Sequence, residues 1–276
     1  MYPGFAKGKY KLMTHIRAFL LFCLVLKFTH MADESNMKAG KIKIGLTYTG
    51  SEAKHKNYVN WIKENDDSIE VIKLSAEENN LDKVPELDAL VISGGIDTHP
   101  KHYGSTITDY PNAPEKFNEP RDEFEIAVFN LAQQQNLPTL AICRGMQLVN
   151  CILGGDLKQD LGEEKNKLHR NIEDPQKHEV LIQPGTLLHT VTQKEIDIAD
   201  SAHHQCINRL GIGLMENAKS LDGIIEGIEW ADKKDKAFFL AVQWHPERMH
   251  LLNIQSSTLS KNIREYFFKI IRDGKQ

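Results

Sequence analysis

The chain has 276 residues, 41% hydrophobic and 26% charged, and 34 Lys plus Arg against 38 Asp plus Glu leave a net charge of −4. Such a balance fits a globular protein with one large α/β domain, and the missing basic surplus argues against nucleic acid as a partner. Four cysteines, Cys23, Cys143, Cys151 and Cys206, are too few for a disulfide framework and form no C-x-x-C pair.

Residues 1–37 stand apart as an N-terminal extension. Lys7, Lys9, Lys11 and Arg17 precede a short apolar run from Ala18 to Leu26, an order shared with secretory signals. That run is about half of the roughly 20 apolar residues a bilayer span needs, so stable membrane insertion is not expected. No small-x-small cleavage site follows it. A start of translation at Met31 or Met37 would leave a cytoplasmic protein; a working signal would make it exported or membrane-tethered.

Residues 38–276 read as one domain in which strands and helices alternate. Ile42–Tyr48, Ile69–Leu74 and Asp88–Ser93 read as strands, with a helix over His55–Asn65 that carries Tyr58, Val59 and Ile62 on one side. Arg121–Gln135 repeats apolar residues at helical spacing and stops before Pro138. Thr139–Cys143 is a buried strand running straight into a helix over Gly145–Leu153. From Glu179 to Glu229 the chain reads as β-rich meanders, then a strand at Phe238–Gln243 and an amphipathic helix at Leu259–Ile271. Short, nearly continuous apolar strands separated by helices imply parallel strands covered on both faces.

Three junctions carry chemistry. Cys143 lies on a strand-to-helix turn, where a nucleophile is held clear of the sheet and faces the positive end of the following helix, which favours a charged sulfur. Small residues, Ala141 and Gly145, flank it. Trp244-His-Pro-Glu247 follows a strand, and in extended chain positions i and i+2 point the same way, so Glu247 can orient His245 as the base that a thiol nucleophile requires. Gly94-Gly95 also follows a strand; the N–H of Gly95 together with that of Arg144 could hold an oxyanion. Asp200-Ser201 and His203-His204-Gln205 read as a substrate-side wall. Adjacent histidines make a poor chelate, and no spacing in the chain matches a metal motif, so neither metal nor cofactor is expected.

Several stretches then match a known family in order: Ser93–Gly104, Pro120–Glu125, Ile142–Asn150, Gly154–Leu157, Ser201–Gln205 and Gln243–Glu247. The chain resembles the class I glutamine amidotransferase-like hydrolases, and among them the γ-glutamyl-γ-aminobutyrate hydrolase group (peptidase C26). The resemblance implies a flavodoxin-like three-layer α/β/α sandwich with a mostly parallel central sheet, a nucleophile elbow and extra β-rich segments. It implies a Cys143, His245, Glu247 triad that cleaves a small-molecule γ-glutamyl amide through a thioester, with Asp97, Tyr103, Gln147, Ser201, His203, His204 and Gln205 on the substrate side. Two positions depart from the family pattern: Ala141 stands where Gly is usual, and Asp200, where Asn is usual, adds a charge expected near the substrate pocket. A glutaminase subunit feeding a partner synthetase, a folate polyglutamate hydrolase and a non-catalytic binding protein are the alternative readings. An exposed face on the closing helix could pair two copies as a homodimer.

Overall fold

In the computed structural model, which describes residues 40–170 and 176–275, the alternation of apolar strands and amphipathic helices resolves into β1 (Ile42–Thr47), α1 (Glu52–Lys63), β2 (Ile69–Leu74), β3 (Ala89–Ile92), α2 (Glu119–Gln134), β4 (Thr139–Ile142), α3 (Arg144–Ile152), β5 (Asp156–Lys158), α4 (Glu163–His169) and β6 (Gln176–Ile182). The chain continues through α5 (Leu187–Thr192), β7 (Ile196–Ser201), β8 (Cys206–Arg209), β9 (Leu214–Ser220), β10 (Ile225–Trp230), β11 (Phe239–Val242) and α6 (Lys261–Asp273). The apolar run at 18–26 lies outside the described residues. Among those described, no helix is long and apolar enough to cross a membrane.

Nine strands form one sheet in the order β2-β1-β3-β4-β11-β10-β9-β6-β7. The first five pair in parallel and the rest antiparallel. β5 and β8 pair in a small second sheet. Alternation along the parallel strands explains their unbroken apolar sequence. Val91, Leu140, Ile142, Leu240 and Val242 pack toward Tyr58, Ile62, Phe267 and Phe268 of α1 and α6. Their neighbours Leu90, Ile92, Ala141, Phe239 and Ala241 pack toward Phe124, Val128, Met146 and Val149 of α2 and α3. Each face thus has its own helical layer, the expected three-layer arrangement.

The stretch 179–229, expected as strands and turns, also contains α5. Thr186 caps it by accepting the N–H of His189, and the carboxylate of Glu229 accepts the N–H groups of Leu187 and Leu188 at 2.8 and 3.2 Å. Half of this cap comes from a residue far along the chain, which hides it from local reading.

Parallel pairing brings the carboxyl ends of β1, β3, β4 and β11 to one edge of the sheet. The loops that leave this edge carry Thr49, Gly94, Cys143 and His245, the position where open α/β sheets hold ligands.

Candidate active site

Cys143 sits between β4 and α3 at φ 54°, ψ −112°. This is a rare backbone state for a residue with a Cβ and costs about 1–3 kcal/mol. Its own backbone holds it there: the N–H donates to Val242 O at 2.7 Å, and the carbonyl accepts from Gln147 N at 3.2 Å. The turn is tight enough that a Cβ on Gly145 would lie 2.4 Å from the carbonyl oxygen of Ile92.

His245 follows β11 and is buried with its partner. Its Nδ1 is 2.7 Å from Oε1 of Glu247. With Nδ1 so engaged, Nε2 is the atom left to serve Cys143, which shares the cleft with it. Burial disfavours an imidazolium, but the charges of Glu247 and Cys143 outweigh it and push the His245 pKa up to about 10. His245 therefore rests protonated at neutral pH. On the other side, Tyr58 places its hydroxyl 3.3 Å from Nδ1 and accepts the N–H of Gly94 at 2.9 Å. A Cβ on Gly94 would lie 2.8 Å from Cε1 of His245, so only glycine lets the imidazole stand there.

A buried charge network supports the elbow from beneath. The Arg144 side chain pairs with Asp122 and Glu125 of α2. Glu125 also accepts from Arg121 Nε at 2.8 Å. Arg121 in turn donates to Gly94 O at 2.9 Å and to Ser93 Oγ at 3.2 Å. One chain of contacts thus links the turn at Cys143 to the loop at Gly94-Gly95. Two guanidinium groups against two carboxylates leave it neutral, which makes burial tolerable.

The cleft at Cys143 is lined by Tyr58, Gly94, Gly95, Ala202, His245 and Glu247, with Lys54 and Arg248 adding positive charge. Sequence reasoning placed Gly95, Cys143, His245 and Glu247 together, and the structure brings them to one cleft. It missed Lys54, Tyr58 and Arg248. Tyr58 had the spacing of an apolar stripe, and only its hydroxyl, unlike Val59 or Ile62, could have signalled a polar task.

None of the residues expected on the substrate side, Asp97, Tyr103, Gln147, Ser201, His203, His204 and Gln205, lines this cleft; their polar atoms are engaged with other side chains and backbone groups. Gln147 donates to Gln243 Oε1 at 3.0 Å, and Gln243 donates to Cys143 Sγ at 3.5 Å. Asp97 accepts from Tyr110 and faces His204. Tyr110 also accepts from Gln205, and Tyr103 accepts from Gln159. Ser201 donates to His169 O, and His203 turns away to donate to Gln205 O. Between these two, it is Ala202 that borders the cleft. Asp200 does not present its charge to the cleft: it is buried, accepting the N–H of His245 at 2.8 Å and pairing with Arg248 at 3.0 Å. Cys151 and Cys206 are buried away from charge-stabilising partners, and burial pushes the Cys206 thiol up to about 11; Cys23 lies outside the described residues.

Comparison with known proteins bears on the family and the fold. The family profile of peptidase C26 matches residues 38–247. The chain is 36% identical over 214 residues to protein NtpR of Enterococcus hirae, covering 75% of this chain and 87% of that one. It is 30% identical over 183 residues to the γ-glutamyl-γ-aminobutyrate hydrolase PuuD of Escherichia coli, covering 62% of this chain and 69% of that one. Among solved structures, a glutamine amidotransferase from Thermotoga maritima superposes with a TM-score of 0.58 at 13% identity, over 84% of this chain and 99% of that one. The glutaminase domain of Trypanosoma brucei CTPS with bound acivicin gives 0.56 at 14% identity, over 84% and 94%. The fold is that of the class I glutamine amidotransferases, and the chain belongs to the peptidase C26 family.

Proposed function

We propose that this protein hydrolyses a γ-glutamyl amide through a γ-glutamyl thioester, with Cys143 as nucleophile, His245 as proton carrier and Glu247 as the group that orients it. One observation carries the reading: a buried imidazole, paired at Nδ1 with a carboxylate, shares one cleft with a cysteine on a positive-φ elbow. Likeness to the hydrolase of E. coli supports the γ-glutamyl substrate class. Lys54 and Arg248 give the cleft the positive charge that suits a group bearing a free carboxylate.

The sulfur attacks the γ-carbonyl carbon, and the backbone N–H groups of Gly95 and Arg144 receive the developing oxyanion. His245, protonated at the start, gives its proton to the departing amine as the C–N bond breaks. The neutral ring then takes a proton from water, whose oxygen attacks the thioester; the C–S bond breaks and glutamate leaves. Glu247 keeps Nδ1 protonated throughout, so Nε2 is always the atom that trades protons.

Mass spectrometry of products over a panel of γ-glutamyl amides tests this reading, with glutamine in the panel to detect a glutaminase. Glutamate and a free amine are expected from the wild type, and trapping with hydroxylamine yields the γ-glutamyl hydroxamate. A Cys143→Ala protein that still turns over these amides at the wild-type rate overturns it.

A further inference from the structure

Outside the cleft, four side chains converge from separate parts of the chain: His169 at the end of α4, His178 on β6, Glu226 on β10 and His203 in the loop before β8. Glu226 is fully buried, and neither of its carboxylate oxygens has a hydrogen-bond partner. Nε2 of His178 and Nε2 of His203 also lack one. A buried carboxylate facing three imidazoles with so many unmet atoms is costly unless something satisfies them together.

The spacing identifies what that is. Oε1 of Glu226 lies 3.5 Å from Nδ1 of His169 and 3.4 Å from Nε2 of His203, and Oε2 lies 3.7 Å from Nε2 of His178. These separations exceed the usual 2.7–3.2 Å of an N–H···O bond. They approach the edge, about 3.4 Å, of a tetrahedron whose corners stand about 2.0–2.1 Å from a central ion. The donor atoms of His169, His178 and Glu226 all fall within 4.8 Å of one another.

Outer contacts set the right nitrogens free. Nε2 of His169 is 3.0 Å from Oδ1 of Asp222, so the proton sits there and the lone pair of Nδ1 faces Glu226 Oε1, with Ser201 Oγ at the same 3.5 Å. Nδ1 of His203 donates to Gln205 O at 2.9 Å, which leaves the lone pair on Nε2. A carboxylate behind His169 and a carbonyl behind His203 match the arrangement that orients metal-binding histidines.

We infer that His169, His178 and Glu226 bind one divalent transition-metal ion of the zinc class, with His203 lying against Glu226 beside them. Two imidazoles and a carboxylate favour zinc over a hard cation such as magnesium. The ion ties α4, β6 and β10 together, and His203 sets its own loop against Glu226. That loop includes Ala202 on the cleft wall and follows Asp200, which holds the backbone of His245. The site therefore braces the wall of the cleft without touching the reacting atoms.

The test uses full-length, tag-free Cys143→Ala protein, so that the reactive thiol cannot bind the ion. After chelator stripping, Zn²⁺ is titrated and the bound metal counted by mass spectrometry; Co²⁺ then serves as a spectroscopic substitute. About one ion per chain, the intense visible absorption of tetrahedral Co²⁺, and a rise in melting temperature on loading are expected. Asp222→Asn, which removes the charge behind His169 while keeping an oxygen for Ser220 and Lys165, should weaken binding about 10–100-fold, and the ligand change His178→Gln at least as much. Failure of the Cys143→Ala protein to take up a stoichiometric ion, or undiminished affinity in folded His178→Gln protein, overturns the inference. Neither result bears on γ-glutamyl hydrolysis, which is read from products.

Discussion

Nδ1 of His245 and Oε1 of Glu247 stand 2.7 Å apart although only Pro246 separates the two residues. The short reach is not made by two positions of an extended strand, as the sequence implied: His245 stands at φ −112°, ψ 86°, and Glu247 lies in a 3-10 turn that Pro246 opens, which brings the carboxylate to the ring. The pair is buried, so little water screens the carboxylate from the imidazole.

Replacing Glu247 by Gln keeps the size of the side chain and removes its charge. The imidazolium loses its counter-charge, and nothing then fixes which ring nitrogen carries the proton. We expect kcat/KM toward the preferred γ-glutamyl amide to fall about 10³–10⁴-fold, while folding by circular dichroism stays intact. Steady-state kinetics on the purified variant checks this; a loss of less than tenfold contradicts the orienting role.

The same pair makes stability depend on pH. His245 has a folded-state pKa of about 10 against an ordinary 6.5. Because the folded state binds the proton more tightly, its contribution is complete below pH 6.5 and is lost as pH rises through 10. Denaturant midpoints should therefore decline more steeply between pH 6.5 and 10 for the wild type than for His245→Gln. Parallel midpoint profiles for the two proteins would refute the assignment.

Glu125 neutralises two buried guanidinium groups at once, those of Arg121 and Arg144. Removing it leaves more positive than negative charge in the interior beneath the elbow. Glu125→Ala should lose about 3–5 kcal/mol of stability, the usual cost of breaking a buried pair from one side. Urea unfolding followed by tryptophan fluorescence measures it, and a change below 1 kcal/mol would show that the network is not a support.

How far the sequence alone reaches follows from where each signal lies. Cys143, His245 and Gly95 each come just after a buried apolar strand, and parallel strands deliver their ends to one edge, so their meeting is legible without coordinates. The stretch Pro120–Glu125 stood out by resemblance, yet its task as the brace of Arg144 depends on α2 packing beside α3, which no local pattern states. Asp200 was expected to charge the pocket because its neighbours line it, but alternation along β7 turns its side chain inward to His245 N. The histidine–glutamate cluster is hidden for the same reason: its members have no common period and meet only through antiparallel pairing of β6, β9 and β10.

That inward turn gives Asp200 a testable role. One carboxylate oxygen accepts the N–H of His245 and the other pairs with Arg248, so the residue fixes both the base and a cationic wall of the cleft. Burial raises its pKa, partly offset by His245 and Arg248, and the acid form would lose part of this hold. Asp200→Asn keeps an oxygen for the His245 N–H and should reduce kcat less than about tenfold; Asp200→Ala leaves a buried N–H and a guanidinium both unpaired and should cost about 10²-fold or more. If Asn and Ala lower kcat equally, the hydrogen bond to the His245 backbone is not what positions the imidazole, and the charge on Arg248 must account for the loss.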